Sequence, residues 1–246
     1  MRSKIINSSI KVDDIIIPIE VFREFRLDVR TALKYDKVII RLPLYYGNAE
    51  IKKTLRHAED WIKAHFNKNT ALKNRFILKE YKSGDELHIN GLKFILDIQE
   101  LKVNKYRAHL ENNIIRIIVP EEADIHERKE TLVYLQSKIT GQYFLPEIKK
   151  RIDVLNKKYF NVKVNEVRIK YNKTNWGSRS AKSNINISTR LLFAPAEVQD
   201  YVFIHELAHF IEMNHSQRFW DIVRSIIPDY KEKEKWLRLN SSKCDF

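Results

Sequence analysis

The sequence predicts an α+β fold in which a strand-rich N-terminal region precedes a mainly helical region with a small antiparallel sheet. Three observations support this class. Apolar residues alternate along most of residues 1–122, helical spacing dominates from residue 123 onward, and strands and helices do not alternate regularly as a parallel sheet requires. We therefore predict two domains, 1–122 and 123–246.

The N-terminal region carries one helix among its strands. Segments such as "KVIIRLPL" are rich in β-branched residues, which favours strands. The segment "NAEIKKTLRHAEDWIKAHF" instead has apolar residues three or four apart, which predicts an amphipathic helix with Asn48 as its N-cap. Asn90-Gly91 and residues 111–113 predict two hairpin turns. The sequence pattern indicates no internal repeat.

The C-terminal region begins with a helical pattern from Glu121 to about Lys158, which Gly141 and Pro146 are expected to divide into two pieces. Three short strands should follow, in the segments "KVNEVRIKY", "TNWGSRSA" and "SNINIST". The closing helices are predicted at residues 195–213, 216–227 and 230–239.

Composition narrows the classes of function. The 45 Lys and Arg residues outnumber the 32 Asp and Glu residues, giving a net charge of +13, which allows binding to nucleic acid. These cations are spread along the chain among acids, so a solvated surface explains most of the excess. No apolar stretch reaches the ~18 residues of a membrane span, and the N-terminus lacks a signal-peptide pattern. The single cysteine, Cys244, excludes an internal disulfide and fits a cytoplasmic protein.

The segment "YVFIHELAHFIEMNHSQRFW" carries the clearest chemical signal. His205 and His209 are four residues apart, so a helix places both imidazoles on one face, and Glu206 borders that face. The neighbouring residues are apolar nearly all round, which predicts a buried helix. Buried histidines and carboxylates must be hydrogen-bonded, paired or bound to a metal ion.

A third ligand should come from beyond the end of this helix, because a catalytic zinc ion takes three protein ligands and keeps one open position. Asn214 can adopt the left-handed turn that ends a helix, and Ser216 can cap the next one. These turns would direct His215 back toward the first two histidines, so His215 is the predicted third ligand. Glu212, one turn after His209, is the alternative.

Glu206 is the predicted general base. It would take a proton from a water molecule whose pKa the metal lowers to about 7, and would pass that proton to the leaving amine. This chemistry is the hydrolysis of a peptide bond. Three histidine ligands suit Zn²⁺ well.

The segment "DYVFIHELAHFIEMNHSQRFWDIV" resembles the YgjP-like metal-dependent hydrolases, which are small zincin-type metallopeptidase domains related to the SprT and Spartan proteases. The match covers the H-E-L-A-H and N-H-S-x-x-F-W motifs. The resemblance implies that residues 123–246 form a zincin-like catalytic domain with an HExxH active-site helix. It also implies a peptide or protein substrate.

The upstream segment "TNWGSRSAKSNINISTRLLFAP" resembles the same family's W-G-S-C-S motif and the strand after it. By this resemblance Trp176, Gly177 and Ser178 border the cleft and are candidate substrate-binding residues. Glycine also lets another backbone approach closely, although Trp176 as a core aromatic and Gly177 as a bulge is an equal interpretation. Arg179 stands where the family usually has cysteine.

Two alternatives belong to other classes of protein. SprT-type relatives act on DNA-bound proteins, so a DNA-associated protein that uses its basic surface is the main alternative. A scaffold whose metal only stabilises the fold is the second, and full ligation by four protein groups would favour it.

Overall fold

The computed structural model describes residues 3–13, 15–34, 37–69, 73, 76 and 79–246, with the side chains of all but 3–8 and 126. The chain forms two compact units, Met1–Leu78 and Lys79–Phe246. Strands and helices are mixed in both, which confirms the α+β class. The strands between residues 86 and 120, which the sequence assigned to the N-terminal region, share one hydrophobic core with the helices and strands of the second unit.

The first unit contains one sheet and one helix. Its elements are β1 (Ser3–Val12), β2 (Ile15–Glu24), β3 (Arg30–Leu33), β4 (Val38–Pro43) and α1 (Asn48–Lys68). The strand order is β1-β2-β4-β3, and β2 alternates buried and exposed residues as a sheet with one covered face should. Helix α1 buries Ile51, Ala58 and Ile62 in the same core. Its N-cap is Gly47, so the predicted cap at Asn48 is wrong by one residue.

The second unit begins with another four-stranded sheet. Its strands are β5 (Glu86–Ile89), β6 (Leu92–Leu101), β7 (Arg107–Glu111) and β8 (Ile114–Pro120), in the order β5-β6-β8-β7. Asn90 and Gly91 have φ values of 50° and 77°, and Asn112 and Asn113 have values of 49° and 62°. Such left-handed pairs build tight hairpin turns, which confirms both turns predicted from the sequence.

These two sheets form a structural repeat. Glu24 lies opposite Pro43 in the parallel pair of the first sheet, and Leu101 lies opposite Pro120 in the second. Equivalent residues of the two sheets are 77 positions apart in the sequence, as Pro43 and Pro120 are, and the antiparallel pairs keep the same offset. The sequence analysis missed the repeat because backbone register and apolar alternation are repeated while most side chains are not.

Helix α2 (Ile125–Tyr159) follows the second sheet and runs for 35 residues without a break. The predicted division at Gly141 and Pro146 is therefore wrong. Proline removes one backbone hydrogen bond, but the buried residues Phe144 and Ile148 on either side of it pack into the core of the unit. Tertiary packing here outweighs the local preference.

A small sheet follows α2 and consists of β9 (Glu166–Lys170), β10 (Gly177–Arg179) and β11 (Asn184–Ser188), in the order β10-β11-β9. The prediction of an antiparallel sheet is wrong for one pair. Strands β10 and β11 are antiparallel, whereas β11 and β9 are parallel, because β11 returns between the two earlier strands. Strand β10 is consequently an edge strand of this sheet.

The chain ends in a 3-10 helix (Thr189–Phe193) and three α-helices, α3 (Ala196–Ala208), α4 (Gln217–Ile226) and α5 (Tyr230–Asn240). Helix α3 ends before the predicted residue 213, and Asn214 is not left-handed, so that part of the prediction is wrong. The chain turns earlier, where Phe210 N–H donates to the Leu207 carbonyl at 3.0 Å. Ser216 caps α4 as predicted. None of the described helices is long and apolar enough to cross a membrane.

Candidate metal centre

Helix α3 holds the first histidine and the glutamate in the interior of the second unit. Nine of its residues are buried, including Val202, Phe203 and Leu207. Its first turn is fixed by Gln199, whose side-chain amide donates to the Ala194 carbonyl at 2.8 Å. The helix is buried because its sequence is apolar on every side.

His205, His209 and His215 come together at the end of α3. Their candidate ligand nitrogens all lie within 4.8 Å of one another. The Nε2 atoms of His205 and His215 are 3.0 Å apart, and the ring centres are 4.8 to 5.0 Å apart. The carboxylate of Glu212, the alternative ligand, is not part of this cluster.

Aromatic residues of α4 hold the histidine rings in place. The ring of Phe219 stacks on His209 with centres 4.6 Å apart, and the ring of Trp220 stacks on His215 at 5.6 Å. The Nδ1 atom of His209 lies 3.2 Å from the backbone carbonyl of Glu212. A carbonyl only accepts, so Nδ1 carries the proton and leaves the other ring nitrogen free to bind a metal ion.

The environment favours the neutral form of His205 and His209. Burial, together with the nearby His209 and His215, lowers the pKa of His205 to about 3. Burial is also the main cause of the lowered pKa of His209. A neutral imidazole is the form that ligates a metal ion. The Nδ1 atom of His205 is buried and has no hydrogen-bond partner among the described residues.

Glu206 lies beside the histidines with only 5% of its surface exposed. Burial raises the pKa of its carboxyl to about 7, and the backbone amide of Arg179 opposes that shift. The side chain of Glu206 occupies the space where Gly177 has no Cβ. A Cβ built at Gly177 would lie 2.7 Å from Glu206 Oε1, so glycine at position 177 is required for this arrangement.

A cleft of about 620 Å³ opens in front of the histidines. Strand β10 forms one wall, with Trp176, Gly177 and Ser178 along it, and α5 lines the other side. Gly177 and Ser178 pair with Ile187 and Asn186 of β11 on one edge of the strand. No described strand pairs with the other edge.

Arg190 contributes to this wall, although the sequence analysis gave it no role. Its side chain is 3% exposed, and it donates to the backbone carbonyls of Lys173 and Cys244 at 2.8 Å each, and to that of Ser241. Its guanidinium carbon lies 4.9 Å from the centre of the Trp176 ring. Arg190 therefore ties the loop before β10 to the C-terminal tail.

Residues of α5 were also missed by the sequence analysis. Glu234, Leu237 and Arg238 line the cleft, and no local pattern connects them with the histidines. Tyr201 could have been found, since it stands four residues before His205 and a helix places the two on one face.

Fold and site together define a candidate metal-dependent enzyme with a three-histidine centre beside an open edge strand. A family model described as the YgjP-like metallopeptidase domain matches residues 25–240. The chain therefore belongs to the YgjP-like metallopeptidase family, and the resemblance seen in the sequence is confirmed.

A search of curated proteins found no match. The chain is 26% identical to the metallopeptidase zymogen of Pyrococcus abyssi abylysin, a match that covers 38% of this chain and 92% of that one, with a TM-score of 0.35.

Proposed function

We propose that this protein is a zinc-dependent metallopeptidase in which His205, His209 and His215 bind the metal ion and Glu206 is the general base. One observation carries the proposal. Three imidazoles meet within 4.8 Å in a cleft, directly beside a buried carboxylate. Family membership implies a metal ion and a peptide or protein substrate.

The donor set fits zinc. Three imidazole nitrogens with a side open to the cleft match the pattern of catalytic zinc sites, whereas structural sites are usually closed by four protein ligands. The Nε2 atoms of His205 and His215 face each other at 3.0 Å, which fits two ligand nitrogens that share one metal ion. When bound, zinc would polarise a peptide carbonyl and make nearby water more acidic.

Glu206 moves the proton in this proposal. Its pKa of about 7 lets the carboxylate take a proton from the attacking water at neutral pH and then release it to the leaving amine. Because Gly177 lacks a side chain, the carboxylate can lie against β10 without moving out of the cleft.

The substrate would bind as an extended peptide along the open edge of β10. The backbone of Gly177 would form hydrogen bonds of the sheet type, which favour binding without selecting a side chain. Trp176 and Ser178 would contact the peptide as lining of the same wall, because the Trp176 carbonyl already accepts from the Ser188 N–H of β11 at 2.8 Å. We further propose residues 123–246 as the catalytic domain, with the sheet of β5 to β8 completing its core.

Metal content tests the centre directly. Elemental analysis of the wild-type protein should find about one zinc per chain, and His209→Ala should lose it. The matched control is His57→Ala, on the exposed face of α1 in the other unit, which should keep the metal. Wild-type protein that binds no zinc after loading and removal of the excess would contradict the centre.

Glu206→Gln tests the general base separately from the metal. The variant should retain zinc but cleave peptides about 10²- to 10⁴-fold more slowly, because the amide cannot accept the proton. Full peptidase activity in Glu206→Gln would overturn the mechanism while leaving the metal centre in place.

The DNA-associated alternative stays a prediction and rests on the net charge of +13. A mobility shift with duplex or single-stranded DNA that weakens steeply with added salt would support it. Failure to bind either form at low salt would remove it.

A further inference from the structure

Arg179 is the last residue of β10, the strand that borders the cleft. Its guanidinium carbon lies 4.9 Å from the centre of the Phe210 ring, and its Nη1 lies 2.7 Å from the sulfur of Met213. Phe210 and Met213 belong to the segment that joins His209 to His215. The side chain of Arg179 therefore extends from the edge strand to the segment between two of the proposed metal ligands.

No carboxylate pairs with Arg179 in the part of the chain that the structure describes, and its buried Nε has no acceptor there. Other arginines of the same unit are paired, such as Arg151 with Asp200 and Arg116 with Asp97. A buried donor without an acceptor is unfavourable. The guanidinium therefore has donor capacity and a charge that no described carboxylate uses, and a carboxylate that entered the cleft would supply the missing partner.

The other charged groups of the cleft do not neutralise Arg179. Glu234 and Arg238 lie on the α5 wall and carry one charge of each sign. Glu206 is assigned to the reacting proton. Arg179 lines the same cleft as His209 and Glu206, and its guanidinium stacks on Phe210, the residue that follows His209. An anionic group bound by Arg179 would consequently lie close to the scissile bond.

We propose that Arg179 is a specificity-determining residue that binds a carboxylate of the substrate next to the scissile bond. The carboxylate comes either from an Asp or Glu side chain or from the C-terminus of a short peptide. This proposal rests on the metallopeptidase function proposed above. It assigns to the enzyme a class of acidic substrates.

The chemistry of the guanidinium supports a carboxylate as the ligand. The group is planar and its N–H donors match the two oxygens of a carboxylate, so the pair can be bidentate. Phe210 covers one face of the plane and Met213 contacts Nη1, while Nη2 has no partner in the described part of the chain and can donate to a carboxylate. A lysine at position 179 would supply the charge without the paired donors.

Cleavage of two randomised decapeptide libraries tests the proposal. The first library has acetylated N-termini and amidated C-termini, so the carboxylates come from side chains alone, and the second has free C-termini. Mass spectrometry of the products should show Asp and Glu enriched about tenfold next to the cut in the first library if side chains are recognised. Cuts concentrated beside the C-terminus of the second library would identify the terminal carboxylate instead.

Three variants test whether the preference for acidic residues depends on the side chain of Arg179. Arg179→Gln should reduce the acidic enrichment to about one, Arg179→Lys should retain part of it, and Arg179→Glu should reverse it in favour of Lys and Arg. Arg168→Glu is the matched control, because Arg168 lies on β9, outside the cleft, and changes the net charge by the same amount. This control should keep the wild-type preference.

The experiments distinguish a wrong role for Arg179 from a wrong metallopeptidase function. Metal-dependent cleavage with no preference for carboxylates in wild type, or the same preference in Arg179→Glu, overturns the role of Arg179 alone. Absence of metal-dependent cleavage in every library counts against the peptidase function. In that case binding decides the role of Arg179. Fluorescence anisotropy would measure the affinity of the Glu206→Gln protein for a labelled Glu-containing decapeptide and for its Gln counterpart. Equal affinity for the two peptides overturns it.

Discussion

The two sheets of this protein have the same strand order and the same register, but they end in different ways. In the first unit, α1 is 21 residues long and closes the core of its own sheet. In the second, α2 is 35 residues long, and the core continues from the sheet through α2 into the helices that flank the histidines. One backbone arrangement therefore supports either a self-contained layer or part of a candidate active site.

The two units also differ in the polar residues that they bury. The core of the second unit encloses Arg190 and Glu206, whereas the core residues of the first unit that the structure describes are apolar. Buried charges cost free energy unless they are paired or used in chemistry. We therefore expect the second unit to hold its buried polar groups at some cost in stability. Matched substitutions in the two units can test this view.

The largest effect is expected at Arg190. Arg190→Leu should lower the free energy of unfolding by about 3–5 kcal/mol, because it leaves buried carbonyls and Asp245 without their cationic partner. Arg41→Leu is the control in the first unit. Its ion pair with Glu24 at 3.2 Å is partly exposed, so its loss should cost at most about 1 kcal/mol.

Urea unfolding measures the stability of both arginine variants. The reactivity of the Cys244 thiol shows whether the C-terminal tail stays packed. Burial leaves Cys244 1% exposed and raises the pKa of its thiol to about 11, so it should resist thiol reagents at pH 8. Rapid labelling in Arg190→Leu but not in Arg41→Leu would show that the tail has detached. Equal stability losses in the two variants would break the comparison.

Cavities made in the two sheets should lower the free energy of unfolding by similar amounts but should differ in their effect on zinc binding. Ile40 and Ile117 occupy equivalent positions in β4 and β8, and both are fully buried. Either change to alanine should lower the free energy of unfolding by about 2–5 kcal/mol. Zinc affinity, measured by chelator competition, should fall in Ile117→Ala and stay unchanged in Ile40→Ala. A loss of affinity in Ile40→Ala would mean that the first unit also supports the metal centre.

A smaller effect, confined to catalysis, is expected at Gly177. Gly177→Ala would displace the buried Glu206 and should reduce kcat about 10- to 100-fold. A Cβ at Gly47 would also approach a carboxylate, Glu50 Oε2 at 3.1 Å, but that side chain is exposed and can move. Gly47→Ala should therefore leave kcat unchanged. Normal turnover in Gly177→Ala would show that Glu206 tolerates displacement.

The smallest effect concerns the connection between β2 and β3. Phe25 and Leu27 are 92% and 90% exposed there, and the equivalent residues of the second repeat are the polar Lys102 and Asn104. The double change Phe25→Lys with Leu27→Asn should alter the free energy of unfolding by less than about 0.5 kcal/mol, since neither ring nor branch is buried. Thermal unfolding measures this, and a large loss of stability would mean that these side chains have a packing partner.

The sequence by itself determined the α+β class, both tight turns and the segment that carries the three histidines. These features depend on local chemistry: alternation of apolar residues, asparagine and glycine at left-handed positions, and two histidines one helical turn apart. Ser216 as the cap of α4 was predictable for the same reason, because a cap uses a side chain and a backbone amide only three residues away.

Tertiary structure alone decided the continuity of α2, the parallel pairing of β9 with β11 and the repeat of the two sheets. It also decided that Arg190 joins the loop before β10 to the C-terminal tail, where its partner Cys244 lies 54 residues further along the chain. These features depend on contacts between distant segments. The free energy of packing selects them, and no local pattern of residues records which segments will meet.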